Sequence, residues 1–248
     1  MEENKSTVRA VERALDILLC FASGTDLAMT EIAERVGLHK STVHRMLATL
    51  EERGFVVRDR ISDRYRLGMR IWELSAHWSN ADDPAVMWLP EMERLRDQLG
   101  ETISLYVRDG KERIRIQAVQ SNQAIRRVAP VGARLPLYVG ASSKVLITYA
   151  DEAEREEIMK DDSWPLSIDL KAFREQMEEI RRSGYATSVE EREPGAAAVA
   201  APIFNRSDRL IAVLSVSGPS SRLTPEKMRE HAPLIIASAR LMGMMGKS

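Results

Sequence analysis

Apolar residues recur at helical spacing in three stretches near the start of the chain. The three sets are Val11, Leu15, Leu18 and Leu19; then Ile32, Ala33 and Val36; then Val43, Met46, Leu47 and Leu50. Positions three and four apart lie on one side of a helix, so the first set predicts an amphipathic helix, and the second and third sets predict helices whose buried side they form. We place these helices at 9–22, from a Thr30 cap to Val36, and at about 40–53. Gly37 supplies the backbone freedom that a helix end often needs.

The third helix is polar and basic on the side away from its apolar stripe. At about 100° per residue, that side carries Ser41, Arg45, Ala48 and Glu52. After Gly54, the β-prone runs FVVRD and YRLG flank the polar segment RISDR and predict a hairpin with a cationic tip. Two helices joined by a tight glycine turn and followed by such a hairpin predict a winged helix-turn-helix.

This arrangement fits double-stranded DNA. A major groove is about 12 Å wide and admits one helix, whose N-terminal residues reach base edges, while basic wing residues approach phosphates. Small Ser41 and Thr42 let the helix lie close, and Arg45 is long enough for a bidentate contact with guanine. The expected DNA-binding residues are Thr30, Lys40, Ser41, Thr42, Arg45, Arg58, Arg60 and Arg64. For any single residue, a solvated helix face beside a charged hairpin remains an alternative.

The distribution of charge supports a DNA partner although the whole chain is nearly neutral. The 248 residues carry a formal net charge of -1. Residues 35–70 contain nine Lys or Arg and four acidic residues, a net charge of +5, which leaves -6 for the remainder. The cationic segment therefore coincides with the predicted helix-turn-helix and wing.

The composition is that of an ordinary soluble globular protein. With 29% charged and 44% hydrophobic residues and a length of 248, the chain should form two domains. Its one cysteine, Cys20, excludes a disulfide framework and fits a reducing compartment, with core packing as the expected role. No secretion signal is recognisable, and no stretch approaches the roughly 18 apolar residues of a membrane span. We therefore expect a cytoplasmic protein with no membrane partner.

The stretch GMRIWELSAHWS, residues 68–79, predicts a linker helix. Its helical spacing aligns Ile71, Trp72, Ser75 and Trp78. An exposed tryptophan stripe outside both cores would be costly, so we expect it to pack against a second copy of the chain. A homodimer or tetramer suits a protein that reads two half-sites. The predicted division is 8–68 for the winged helix-turn-helix, 69–82 for the linker helix and 83–248 for a second domain.

From Pro84 onward the pattern is α+β. The predicted helices cover 85–100 with a kink at Pro90, then 140–150, 151–160, 169–184, and 223–245 with Thr224 as cap. Asp109-Gly110 predicts a hairpin within 102–119, AIRRVA (124–129) predicts a further strand, and 196–204 pairs with 210–218. Together these elements predict a compact sensor-like domain.

Three features of this domain predict a pocket for a small acid. In LIAVLSVSG, a period of two places two hydroxyls after two apolar side chains on one face. In GARLPLYVGASSKV, a helix begins after Gly140, and its free N–H groups would hold a carboxylate. The polar loop SVEEREPG leads to a strand of small residues, which leaves room for a ligand. The expected positions are Leu135, Gly140, Ala141, Ser142, Ala198, Ser215 and Ser217. A fraying strand and a loop without a ligand remain alternatives.

We find no catalytic set in the sequence of the second domain. His231 has no nearby nucleophile motif, and there is no metal-spaced cluster or phosphate loop. We therefore expect ligand binding without turnover, no metal and no cofactor. The competing classes are an enzyme domain fused to a DNA-binding module and a purely architectural module.

The chain resembles the IclR family of bacterial transcriptional regulators from Val8 to Gly243. In the first domain the resemblance rests on RALDILLCFA, TEIAERVGLHKSTVHRMLATLEERGFV and YRLG. In the second it rests on VGARLPLYVGASSKVLI, EREPGAAAVAAPIFN and LIAVLSVSGPSSRLT. The resemblance implies a winged helix-turn-helix, a linker helix and a GAF-like effector-binding domain, in dimers or dimers of dimers that respond to small organic or aromatic acids. By position it adds Ser188 and Val189 to the effector-binding residues.

The sequence departs from the family pattern at several of these positions. Tyr138 stands where the family usually has histidine, and Ser143 stands where it usually has glycine. Members that bind small keto acids often place an acid near Ser188 and a cysteine near Ala198, and this chain has neither. We therefore expect a somewhat larger, less polar acid than glyoxylate. The predicted protein is a regulator that binds a pseudo-palindromic operator as a dimer, and its effector shifts the relative placement of the two DNA-binding domains.

Overall fold

The computed structural model describes residues 7–24, 26–76, 84–126, 128, 130–160, 164–165 and 168–245. The chain divides into two compact units between residues 80 and 81. None of the helices in the described ranges has both the length and the apolar character needed to cross a membrane.

The first unit is a winged helix-turn-helix followed by a short helix. Its helices are α1 (Arg9–Leu19), α2 (Met29–Val36), α3 (Lys40–Glu52) and α4 (Met69–Ala76). Its strands are β1 (Leu27–Ala28), β2 (Val56–Arg58) and β3 (Arg64–Leu67), which form an antiparallel sheet in the order β1-β3-β2. The hairpin of β2 and β3 is the predicted wing. The sequence did not predict β1, because two residues are too few to show an alternating pattern.

The core of this unit confirms the predicted buried stripe of α3. Val43 and Leu47 are fully buried, Leu50 is nearly so, and Met46 lies at the partly buried edge. Cys20 packs into the same core from the short 3-10 turn after α1, and burial raises the pKa of its thiol. The opposite side of α3 is thereby left to face outward.

The turn between α2 and α3 is built as predicted, but the start of α2 is not. Gly37 ends α2 with a left-handed backbone, φ +64°, which lets the chain reverse into α3. The prediction that Thr30 caps α2 was wrong, because β1 runs directly into the helix and Ala28 is the N-cap residue. The carboxylate of Glu31 satisfies the backbone N–H of Ala28 at 2.6 Å instead.

The second unit packs helices on both faces of a six-stranded antiparallel sheet. Its strands are β4 (Thr102–Asp109), β5 (Glu112–Val119), β6 (Arg134–Pro136), β7 (Ala186–Val189), β8 (Ala196–Phe204) and β9 (Leu210–Pro219). Their order is β6-β5-β4-β9-β8-β7. Its helices are α5 (Pro84–Met87), α6 (Leu89–Leu99), α7 (Ala141–Thr148), α8 (Glu152–Met159), α9 (Leu170–Ser183) and α10 (Pro225–Met245).

The sheet therefore has a buried core on each side. On one face, Leu105 and its neighbours pack against α6 and α10, and the indole of Trp88 donates to the carbonyl of Met242 at 2.8 Å. On the other face, Tyr106 packs with Val145 of α7 and Phe173 of α9. Because successive strand residues point to opposite faces, β4 and β9 are buried along most of their length.

Two predictions in this unit need correction. The helix at 85–100 breaks at Trp88 rather than kinking at Pro90, and Pro90 lies in the first turn of α6, where its missing N–H is not needed. The segment 124–129 forms no strand at its described residues, where Ile125 is exposed. Arg134–Pro136 pairs with β5 instead, so the sheet edge that such a strand would need is taken.

The predicted start of α10 is confirmed, since the Thr224 hydroxyl accepts from Lys227 N.

Candidate DNA-binding and effector sites

The outward face of α3 is polar and cationic at its N-terminal end. Lys40, Ser41 and Arg45 are exposed, and Thr42 is half-buried. The buried stripe fixes the helix from behind, so these side chains project from a rigid support. Such a face can enter a groove without rearrangement of the backbone.

The start of α3 offers backbone donors as well. Its N-cap residue, His39, makes no side-chain cap bond. Within the part of the chain that the structure describes, the N–H groups of Lys40 and Ser41 have no backbone partner, whereas that of Thr42 donates to His39 O at 2.9 Å. Unpaired N–H groups and the helix dipole favour an anion such as a phosphate here.

The three predicted wing arginines have different surroundings. Arg58 Nε donates to Asp63 at 2.6 Å, and Arg64 donates to Glu31 at 2.7 Å and to Asp26 O at 2.8 Å. The N–H of Ala28 and then the Arg64 guanidinium lower the pKa of Glu31. Arg60 is exposed at the hairpin tip and makes no side-chain bond to any described residue. Arg64 therefore ties the wing to α2, and Arg60 is the arginine best placed for a phosphate.

In the second unit, small side chains line the sheet face beneath α7. Ser217 pairs with Thr102 and Ala198, and Ser215 pairs with Ser104 and Ala200. The hydroxyls of Ser217 and Ser104 are buried and have no hydrogen-bond partner among the described residues. Small residues here enclose a cavity of about 40 Å³. Buried hydroxyls without partners are uncommon in proteins and indicate a place for a polar ligand.

The start of α7 closes one end of this cavity. Gly140 has φ +96°, and a Cβ there would lie 3.2 Å from the Arg113 guanidinium, so glycine fits both the backbone and the space. Its N–H donates to the Glu191 carboxylate at 3.1 Å, and Lys144 Nζ pairs with the same carboxylate. A carboxylate from the chain itself thus occupies the predicted anion position at this helix start.

Most of the predicted effector residues meet at this cavity. Those that line it are Gly140, Ala141, Ser142, Ser188, Ala198, Ser215 and Ser217. Leu135 packs into the adjoining core instead, and Val189 is exposed because it follows Ser188 on β7 and points to the other side. Leu135 and Val189 therefore do not line the cavity, although both were predicted to contact the effector.

The sequence missed the charged and aromatic part of the lining. Tyr106, Arg113 and Glu191 all border the cavity. Arg113 is 3% exposed and donates to Pro136 O at 2.5 Å, to Val139 O at 2.7 Å and to the Ser143 hydroxyl. Alternating arginine and isoleucine, as in ERIRIQAV, are typical of a strand with one solvent-facing side, but here helices cover both faces of the sheet and Arg113 is buried.

A wider cleft lies next to the cavity. It measures about 510 Å³ and is lined in part by Tyr138, Phe173 and Lys144. Glu191 and Arg192 line both spaces. The Glu191 contact to Gly140 and Lys144 therefore stands between the cleft and the interior cavity. No group of three or more potential metal ligands occurs among the residues that the structure describes.

Two family profiles match the chain. "IclR helix-turn-helix domain" matches residues 10–60, and "Bacterial transcriptional regulator IclR C-terminal" matches residues 85–243, which is more than half of the chain. The chain belongs to the IclR family of bacterial transcriptional regulators. The predicted α+β class, with an N-terminal winged helix-turn-helix and a C-terminal effector domain, is confirmed for this IclR-family chain.

Relatives of this IclR-family chain match it over nearly its whole length. HTH-type transcriptional regulator XynR of Escherichia coli (strain K12) is 34% identical over 225 residues, covering 87% of this chain and 88% of that protein. The IclR transcriptional regulator from Alicyclobacillus acidocaldarius has a TM-score of 0.81 at 29% identity, covering 97% of this chain and all of that chain. An IclR homologue from Microbacterium hydrocarbonoxydans, complexed with 4-hydroxybenzoate, has a TM-score of 0.77 at 28% identity, covering 94% and 99%.

Two of the departures from the IclR pattern, Ser143 and Tyr138, lie beside the candidate effector site. Ser143 contributes the hydroxyl that accepts from Arg113, which a glycine would lack. Tyr138 lines the wider cleft and packs edge-on against Trp164, with ring centroids 6.3 Å apart. In this IclR-family chain, Ser143 therefore links the start of α7 to Arg113, and Tyr138 gives the cleft an aromatic wall.

Proposed function

We propose that the protein regulates transcription by placing α3 in the major groove of a pseudo-palindromic operator. The observation that carries this proposal is the exposed face of Lys40, Ser41 and Arg45 on a helix whose other side is buried. Arg45 would read guanine, and Ser41 and Thr42 would contact bases or phosphates near the helix start. Arg60 would contact the phosphate backbone from the wing.

A homodimer is the form of the protein that we propose binds the operator. In the single chain the α1 residues Val11, Leu15 and Leu19 are 55, 53 and 68% exposed, and Trp72 of α4 is 64% exposed. Contiguous exposed apolar residues of this kind favour association. The predicted contribution of Trp78 lies outside the described residues. A dimer or tetramer, like the division at 8–68, 69–82 and 83–248, is part of the proposal.

The proposed effector is a small organic or aromatic carboxylic acid. The start of α7 and the buried Ser217 hydroxyl supply donors, and the neighbouring cleft has an aromatic wall suited to a ring. A relative that is 28% identical is complexed with 4-hydroxybenzoate, a compound of this class. The acid would displace Glu191 from Gly140 N and take over its hydrogen bond.

A screen of small acids by thermal shift, followed by operator-binding titrations with each hit, tests this proposal. We expect at least one acid to raise the Tm and to change operator affinity by about 5- to 150-fold, the usual range of allosteric coupling. Turnover of an acid by purified protein would favour an enzyme instead. Operator binding without any response to acids would leave the DNA-binding part standing and refute the effector part.

A further inference from the structure

Arg115 is a buried cation that lies outside the effector-binding residues proposed above. It lies on β5 with 1% of its surface exposed. One terminal nitrogen donates to the Tyr106 hydroxyl, and the guanidinium lies 5.0 Å from the centroid of that ring. Its Nε and Nη1 atoms have no hydrogen-bond partner among the described residues, and it forms no ion pair with any of them.

A buried guanidinium in such surroundings is unfavourable unless an anion compensates its charge. Burial removes water from the charged group, and a ring and a hydroxyl replace only part of that solvation. Arg113 lies 5.6 Å from the centroid of the same Tyr106 ring, so a second cation is close by.

The strand register places Arg115 next to the cavity. Arg115 is the cross-strand partner of Tyr106, and Tyr106 lines the cavity. Ser104 lies two residues before Tyr106 on the same face and pairs with Ser215, which also lines the cavity. Cross-strand partners share a face of the sheet, so the unpaired groups of Arg115, Ser104 and Ser217 all lie on the side that faces α7.

We propose that Arg115 is an anion-binding residue of the effector site, extending that site from α7 across β9 and β4 to β5. This inference rests on the proposed effector function and makes its ligand class specific. The ligand is a carboxylic acid long enough to present a negative group to the β5 end, where Ser104 adds a hydroxyl. Entry of the acid would also repack Tyr106, because that ring separates Arg115 from the cavity.

The competing interpretation is that Arg115 only supports the Tyr106 ring. The two interpretations predict different changes in the Tm of the ligand-free protein when Arg115 is replaced by glutamine. If Arg115 awaits an anion, Arg115→Gln removes an unpaired buried charge while keeping a donor for the Tyr106 hydroxyl, so the Tm without acid should stay equal or rise. If Arg115 is a structural support, the same change should lower that Tm.

The test combines thermal shift and calorimetric titration with 4-hydroxybenzoate, benzoate, pyruvate and succinate as probes. We expect at least one acid to bind the wild type, and we expect Arg115→Gln to weaken it by about 10- to 100-fold, the worth of one or two hydrogen bonds to a charged group. Arg134→Gln is the matched control on neighbouring β6, because Arg134 is half-exposed and pairs with Asp109 and Glu112. Its affinity for the acid should equal that of the wild type.

Several outcomes would overturn the proposal. A lower Tm in Arg115→Gln with unchanged acid affinity would assign Arg115 a supporting role, and so would equal acid affinity in both proteins. If Arg115→Gln does not fold, Arg115→Lys takes its place, and acid affinity equal to wild type would contradict the assignment. A wild type that binds none of the four acids would also contradict it, whereas retained operator binding by that protein would leave the regulatory function standing.

Discussion

Arg45 is the side chain on which base preference should depend. Its replacement by alanine removes the proposed guanine contact, so we expect a loss of about 1–3 kcal/mol on the best operator and a weaker preference among operator variants. The matched change is Arg60→Ala on the wing, which should weaken binding to all DNA sequences alike. It should also reduce the slope of log affinity against log salt concentration by about one. Fluorescence anisotropy with a set of single-base operator variants measures both. An Arg45→Ala protein that ranks the variants as the wild type does would refute the assignment.

Glu191 should act as an internal competitor of the acid. Its carboxylate bonds to Gly140 N and pairs with Lys144, whose side chain is largely buried. In Glu191→Gln this contact is weakened, so we expect acid affinity to rise by about two- to fivefold, the worth of a partly exposed ion pair. Glu190→Gln on the same loop is the control, because Glu190 bonds to Ser220 instead. Weaker acid binding in Glu191→Gln would mean that Glu191 helps to hold the acid.

The small residues that line the cavity could be predicted from the sequence, whereas its charged residues could not. Ser215 and Ser217 could be predicted because a period of two shows which residues share a strand face. The burial of Arg113 and Arg115 could not be predicted, since alternating arginine and isoleucine are typical of a strand with one solvent-facing side. Only the packing of helices on both sides of the sheet buries them, and that packing is set by distant parts of the chain.

Helices α6 and α10 are joined by a charged contact that should make stability depend on pH. Arg94 hydrogen bonds hold the pKa of buried Glu91 below its ordinary value of 4.5, and Arg94 also donates to Ser238 of α10 at 3.1 Å. The ionised form is the one that folding favours, so its contribution is present above 4.5 and is lost as the pH falls through the lower folded pKa. Urea unfolding of wild type and Glu91→Gln should show a stability gap at pH 7 that narrows in this acidic range. Glu93→Gln, exposed on the same helix, should show no such gap.

The helices were the most predictable elements, and short or edge strands were the least. The apolar stripe of α3 and the Thr224-Pro225 start of α10 depend on residues within a few positions, so the local pattern is sufficient. The two-residue strand β1 and the edge strand β6 depend on partners far along the chain. AIRRVA has strand-forming residues, yet the edge of β5 pairs with Arg134–Pro136, and propensity cannot show which segment wins.

In the whole molecule, the apolar stripe of α1 should hold two chains together. Leu15→Lys keeps helix propensity but places a charge in the middle of the exposed stripe, so we expect the dimer dissociation constant to rise by about tenfold or more. Asp16→Ala, at the adjacent exposed position, should leave the dissociation constant unchanged. Sedimentation velocity over a range of protein concentrations measures it. A Leu15→Lys protein that dimerises as tightly as the wild type would place the interface elsewhere.

The first unit carries the proposed DNA-binding face, and the second carries the proposed effector cavity. Such a chain works as a switch only if the effector has different affinities for the DNA-bound and free arrangements of the proposed dimer, and the response cannot exceed that difference. The Glu191 carboxylate borders the cavity, and the buried Ser217 hydroxyl that lines it has no hydrogen-bond partner among the described residues, which favours an acid as the effector. The exposed α3 face supplies the output, so the regulatory account depends on that face.

The most direct measurement is a competition titration with DNA from upstream of the protein's own gene against scrambled duplex of the same length, at a salt concentration near 0.15 M. If α3 reads bases, the wild type should bind the upstream DNA about a thousandfold or more tightly than the scrambled duplex, as specific regulators do. Equal affinity for the two duplexes, or no binding to either one even at low salt, would contradict the account.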